Sequence, residues 1–327
     1  MTGTGCSGRL RWYSFAPGAV GVLALILLPP FVSTYFLSML TKVVIFAIFA
    51  ISLDLILGYT GLLSLGHAAF FGVAGYVSGI FMVHLHVKSI WLVLPLSVLA
   101  AGIAAVVIGY LALRVSGVYF LLITLAFGQM LSIIAIRWRK ITGGTNGLID
   151  ISCPDLGLPG FTWTSLSFYY FVFLCFVICF FLIYRIVNSP FGRALVGIRE
   201  NEPRLQSLGI DTWAHKYVAF IIAGLFAGVS GMLFASFYGI MVPEHLGIMT
   251  SATAMLMVVI GGPGTLFGPV IGSLIIIMLE HYASIYDPQR WPLFLGCMFV
   301  ICAIFLHGGL GMYLTKLWKK RRNRIWL

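Results

Sequence analysis

The groups that could do chemistry in this chain are few, and most lie inside apolar runs. Asp54 sits in ISLDLILGY, His67 in SLGHAAF, and Glu280–His281 close a hydrophobic segment. Ionisable residues at such positions are costly and usually functional. They do not form the series of carboxylates or arginines that a proton-coupled carrier or voltage sensor needs. His67 suits a hydrogen bond at a helix start better than a proton relay. Asp54 is placed to accept backbone hydrogen bonds from the nearby Tyr59–Ser64 turn. Thr124 and Gln129, in GVYFLLITLAFGQML (117–131), either line a path or bond a neighbouring helix. No G-x-x-x-x-G-K-[ST] phosphate loop occurs, and GGPGTLFG lacks the lysine such a loop needs. The chain is therefore not an ATPase or any other recognisable enzyme by itself, and no catalytic or metal-ligating constellation stands out.

The composition sets the solvent. Of 327 residues, 61% are hydrophobic and 9% charged, with mean hydropathy +1.05. A soluble domain carries about 25% charge, so the chain belongs in a lipid membrane. The net charge of +11 marks cytoplasmic loops rather than nucleic-acid binding. The six cysteines show no zinc spacing with histidine, and most read as small core residues.

Apolar runs of spanning length predict helices at 16–35, 36–58, 62–84, 90–113, 117–136, 166–185 and 216–239, two shorter ones at 250–262 and 267–282, and a last at 291–307. The expected fold is all-α, one polytopic transmembrane bundle over 1–327 with about ten spans and Gly/Pro-interrupted segments. The tail KLWKKRRNR (316–324) holds six basic residues and no acid. Lys and Arg mark the cytoplasmic side, so the basic tail 308–327, the N-terminus and the loop 186–215 are all expected there. RWRK (137–140) then falls outside and breaks the charge rule, in a loop long enough to escape it.

Two stretches break the helical pattern. GYTGLLSLGHAAFFGVAGY (58–76) carries five glycines, each costing a helix interior about 0.8–1.0 kcal/mol against alanine. Gly58 and Gly61 bracket a turn. Ser64, Ala68, Gly72, Gly75 and Gly79 recur three or four apart, so they share one helix face that a second helix can approach closely. GGPGTLFGP (261–269) separates the two short segments. It is either an ordinary turn or irregular backbone lining a path, as interrupted segments are in transporters. Breaks in both halves hint at an internal duplication. Candidate path or gate residues are thus Thr60, Ser64, His67, Gly72, Thr124, Gln129, Gly262 and Gly264.

The loop SPFGRALVGIRENEPRLQSLGIDTWAHK (189–216) is the longest polar stretch on the inner face. Ser189–Pro190 suits a helix start. Ala194, Leu195 and Ile198 share an apolar face, and Arg199, Glu200, Glu202 and Arg204 crowd the other. Pro203 opens a second short helix, which Gly209 ends. This is either a docking helix for a soluble partner or a solvated loop. TGGTNGL (142–148), on the outer side, either meets a solute or its carrier or is a surface turn.

Four motifs in order, GYTGLLSLGHAAFFGVAGY, GVYFLLITLAFGQML with TGGTNGL, SPFGRALVGIRENEPRLQSLGID and GGPGTLFGPVIG, resemble the LIV-type permeases of bacterial ABC importers for branched-chain amino acids. The resemblance implies a multi-pass inner-membrane permease for leucine, isoleucine and valine. It implies a second homologous permease, two cytoplasmic ATPase subunits that bind ATP and Mg, and a periplasmic solute-binding protein. It makes 186–215 the coupling loop, with Arg193, Arg199, Glu200, Glu202, Arg204 and Gly209 as candidate contacts. Glu202 and Gly209 match the acidic and glycine positions of the family's loop motif, whereas Arg204–Leu205 replace two alanines frequent in ABC permeases. Related permeases carry urea, short amides or other amino acids. From another class, a self-sufficient secondary carrier remains the alternative.

Overall fold

The computed structural model describes residues 29–157 and 163–286, together with 293, 294, 296–298 and 300. The greater part of the predicted first span and of the last, and the basic tail, lie outside these residues.

The described chain is almost wholly helical. In order it forms α1 (Thr34–Asp54), α2 (Ala68–Val83), α3 (Ile90–Ala112), α4 (Val118–Arg137), α5 (Arg139–Thr142), α6 (Ser165–Val187), α7 (Pro190–Ser207), α8 (Thr212–Tyr238), α9 (Ile248–Gly261) and α10 (Gly268–Tyr286). Two-residue strands β1 (Leu148–Ile149) and β2 (Ile240–Met241) pair antiparallel, Leu148 opposite Met241. Among the described residues six helices are long and apolar enough to cross a membrane: α1 with its extension to Thr60, α3, α4, α6, α8 and α10. The chain is a multi-pass helical membrane protein.

Burial ranks these helices. In the most apolar stretch of α1, 83% of residues are buried, against 28% in α4; α1 is the central post and α4 is peripheral. Around α1 the rings of Phe46, Phe49, Phe71 and Phe234 interlock at centroid distances of 4.8–6.3 Å. In lipid, helices associate through close packing rather than water exclusion. Small residues of α8 provide this: Gly224 lies on Ala105, Gly228 on Ala101, and Gly231 on the Phe71 backbone.

The glycine-rich stretch departs from the expected helix 62–84. α1 does not stop at Asp54 but widens into a π-helical segment, Leu55–Thr60, which Gly61 ends in the left-handed region at φ 76°. The next helix begins only at Ala68, so Ser64 precedes the small-residue face instead of belonging to it. The backbone from 61 to 67 runs irregularly, and within it Gly66 lies against the Thr124 carbonyl, a contact that leaves no room for a side chain. Gly72 and Gly79 do form a close face, against Leu246 and Leu148 respectively.

The counterpart of this break is a second irregular stretch, 239–247. Gly239 turns the chain at φ 68°, β2 follows, and a 3-10 turn Pro243–Leu246 leads into α9. Leu246 lies against Gly72 of α2, and its carbonyl is near Gly128 of α4. This stretch therefore enters the bundle to mid-helix depth. The two short helices meet at their starts, where the Ala68 N–H donates to Ser251 Oγ at 3.0 Å. The turn TGGTNGL is closed rather than open. The Thr142 hydroxyl bonds the Trp138 carbonyl at 2.8 Å, and Gly147 backs onto the 241–242 backbone.

Candidate functional site at the two glycine breaks

Three segments distant in sequence converge at Gly58. The first is the π-helical end of α1. Widening the helix there shifts its hydrogen bonds, so Gly61 and Leu62 both donate to Ile56 and the Gly58 carbonyl is freed. The second is the GGPG turn between α9 and α10, with Gly262 at φ 107° and Gly264 at φ 79°. These are values that suit glycine alone. The Gly264 N–H donates to Asp54 Oδ1 at 2.8 Å. A β-carbon on Gly58 would strike both the Asp54 carboxylate and the Gly264 backbone.

The third segment is α7. Ser189 caps it, accepting from the Gly192 N–H at 3.3 Å, with Pro190 in the first turn. Leu195 and Ile198 are buried as the pattern predicts. The helix breaks at Asn201, whose backbone leaves the helical region (φ −160°, ψ 92°). The Asn201 side chain then caps the second part by accepting from the Arg204 N–H at 3.1 Å. Gly209 closes this second part at φ 81°. Glu202 pairs with Lys216 of α8 at 2.6 Å, so it ties α7 to the bundle rather than projecting freely. Arg193, Glu200 and Arg204 remain exposed.

Arg199 is exposed, as the pattern suggests, yet its guanidinium reaches back to the bundle. Its stem crosses Gly61, and its Nη1 donates to the Gly58 carbonyl. Asp54 departs from expectation: its partner is the other glycine turn, not its own. The carboxylate is fully buried, and Oδ2 has no hydrogen-bond partner among the described residues. Arg199 and Asp54 thus approach one glycine junction from two sides. The arrangement joins an amphipathic helix to two glycine turns. Beside it, between α7 and the start of α8, lies a cavity of about 440 Å³ bordered by Arg114, Glu202, Trp213 and Lys216.

The remaining candidates sit deeper in the protein. His67 is fully buried, with Nε2 2.8 Å from Ser52 Oγ and its ring stacked on Phe49 at 5.3 Å. Thr60 and Thr124 are buried and bond carbonyls of their own helices, Ile56 and Leu121. Thr124 meets its neighbour through its backbone, at Gly66. Ser64 is buried, Gln129 partly so. Sequence reading did not find Asn201, although an Asn two residues before a proline at a helix start is a capping signal. It also missed the Lys42–Glu280 ion pair, 2.9 Å, whose partners lie 238 residues apart.

Among families of known proteins, the one described as branched-chain amino acid transport system / permease component matches residues 35–303. The chain belongs to this family. It is 30% identical over 314 residues to the high-affinity branched-chain amino acid transport system permease protein LivM of Escherichia coli, covering 89% of this chain and 73% of that one. It is 26% identical over 257 residues to LivH of Salmonella typhimurium, covering 74% and 82%. At 23% identity over 231 residues it is also similar to LsrC of Salmonella paratyphi B, an autoinducer 2 import system permease, covering 66% and 64%. No solved structure matches. Family membership bears out the resemblance carried by the four motifs; the first, third and fourth meet around Gly58 and Gly264, and the second meets the first at Gly66.

Proposed function

We propose that this chain is a permease subunit of an ATP-driven importer for branched-chain amino acids in a bacterial inner membrane. It pairs with a second, homologous permease. Two cytoplasmic ATPase subunits, which hold ATP and Mg, dock on α7, and a periplasmic binding protein delivers leucine, isoleucine or valine. The full chain forms one domain of ten spans with both termini cytoplasmic. The observation that carries this reading is the bond from Arg199 to the Gly58 carbonyl. It supports α7 as the coupling helix, because movement of α7 reaches both glycine turns through one guanidinium. Arg193, Glu200 and Arg204 are left facing outward for the ATPase, and Glu202 and Gly209 fix the second part of α7 in place. Thr60, Ser64, His67, Gly72, Thr124, Gln129, Gly262 and Gly264 act at or behind the gate, through packing more than through contact with solute.

The test is uptake of labelled leucine in cells lacking this chain and in the same cells with it restored. Restored uptake that isoleucine and valine block supports the reading. Restored uptake that they leave untouched moves the substrate to other amino acids. No restoration, with the partner subunits present, moves it to urea or short amides. Uptake by the purified chain alone would replace the ATP-driven reading with a secondary carrier.

A further inference from the structure

Among the described residues, one pair of opposite charges lies inside the spans, at the end remote from α7. Lys42 is the ninth residue of α1, and Glu280 the thirteenth of α10. Both fall in membrane-spanning stretches, and α1 and α10 reach α7 and the GGPG turn only at their other ends. Lys42 Nζ stands 2.9 Å from Glu280 Oε1. Other polar side chains gather round them. Tyr238, at the end of α8, and His245, in the turn before α9, lie within electrostatic reach of Lys42. Next to Glu280, His281 Nε2 bonds the Tyr35 hydroxyl at 2.7 Å.

The pair is not sealed. The two side chains keep 22% and 27% of their exposure, whereas Asp54 keeps none. Exposing such charges to hydrocarbon is costly, and in membrane proteins they face a bundle interior or a water-filled cavity. Partial exposure of this kind fits a water-filled path in the half of the bundle away from α7 better than a face turned to lipid. The ion pair engages one carboxylate oxygen of Glu280 and part of the donor capacity of Lys42. A carboxylate acceptor and ammonium donors thus stand side by side, both partly exposed.

We propose that Lys42 and Glu280 form a subsite for the zwitterionic head of an α-amino acid entering the path. Lys42 takes the substrate carboxylate and Glu280 its ammonium group, the internal pair giving way to two intermolecular ones. An α-amino acid presents both charges on adjoining carbons, which matches a donor and acceptor already in contact. The ring of Phe46, packed in the aromatic cluster around α1, has its centroid 6.0 Å from Lys42 Nζ, so the apolar core begins beside the pair. This inference rests on the amino-acid reading above.

The test uses the whole importer in vesicles, with both permeases, the ATPases and the binding protein. The unaltered importer is measured first, for leucine uptake and competition by valine. Lys42→Met and Glu280→Gln are then compared with the exchanged double variant Lys42→Glu/Glu280→Lys, with assembly of the complex measured for each. Loss of a charge-assisted hydrogen bond should raise the KM for leucine about tenfold or more in the single variants. The exchanged pair keeps an ion pair but reverses its polarity, so it should stay impaired. Recovery in the exchanged variant would show a strut between α1 and α10 and overturn the subsite. Unchanged KM in the single variants would do the same. No leucine uptake by the unaltered importer would overturn the amino-acid reading itself, and this subsite with it.

Discussion

At the scale of single residues, the junction at Gly58 makes predictions that separate hydrogen bonding from charge. Asp54→Asn keeps an oxygen acceptor for the Gly264 N–H, and Asp54→Ala removes it. An unsatisfied buried donor costs about 1–3 kcal/mol. The alanine variant should therefore lower the thermal stability of the assembled complex, and the asparagine variant should stay close to the parent. Equal loss in both would show that the negative charge beside Arg199 matters more than the bond. Arg199→Ala should leave ATP hydrolysis present but cut its stimulation by substrate about fivefold or more, the range of a modest coupling energy. Stimulation equal to the parent's would remove Arg199 from the link. Much of this junction was not legible in the sequence. Arg199, Asp54, Gly58 and Gly264 could each be singled out, but nothing in their spacing tells that residues 54, 199 and 264 share one place. Periodicity assigns a residue to a helix face; a long, flexible arginine can leave that face and bond elsewhere.

At the scale of elements, apolar length placed most of the described helices within a few residues, because hydrocarbon thickness imposes that length. The amphipathic face of α7 was readable for a similar reason: Leu195 and Ile198 repeat at helical spacing. What failed was the start of α2. Apolar residues recur from 62, but the helix begins only at Ala68, after a segment in which Gly66 lies close against the Thr124 carbonyl of α4. GGPGTLFGP does meet the first glycine-rich stretch, at Gly58 and Gly264, but 239–247, with fewer glycines, also packs against α2 and α4, and composition did not single it out. Gly72→Leu tests the α2 face. Its side chain would fall on Leu246, and overpacking of this kind costs about 1–3 kcal/mol. Transport should drop while the permease pair still assembles; normal uptake would show that this contact does not move during the cycle.

At the scale of the whole molecule, α7 lies at one end of the bundle and the Arg137–Lys140 segment at the other. Single cysteines replacing Lys140 and Glu200, in a cysteine-free background, should react with a membrane-impermeant maleimide from opposite sides of the membrane. Labelling of both from the same side would contradict the ten-span arrangement. Composition alone fixed the class of protein, and positive charge fixed the expected inner side, but neither reports how the helices nest around α1. The head-on meeting of α2 and α9 at Ala68 and Ser251 bears on how the protein is made. At 16 and 14 residues, these helices reach about 24 and 21 Å, short of the roughly 30 Å a bilayer core demands. Neither can be released into lipid by the insertion machinery as a finished span. α2 is therefore expected to close only once α8 and the segment after it have been made, and a chain truncated before residue 247 should be cleared by membrane proteases faster than the full chain.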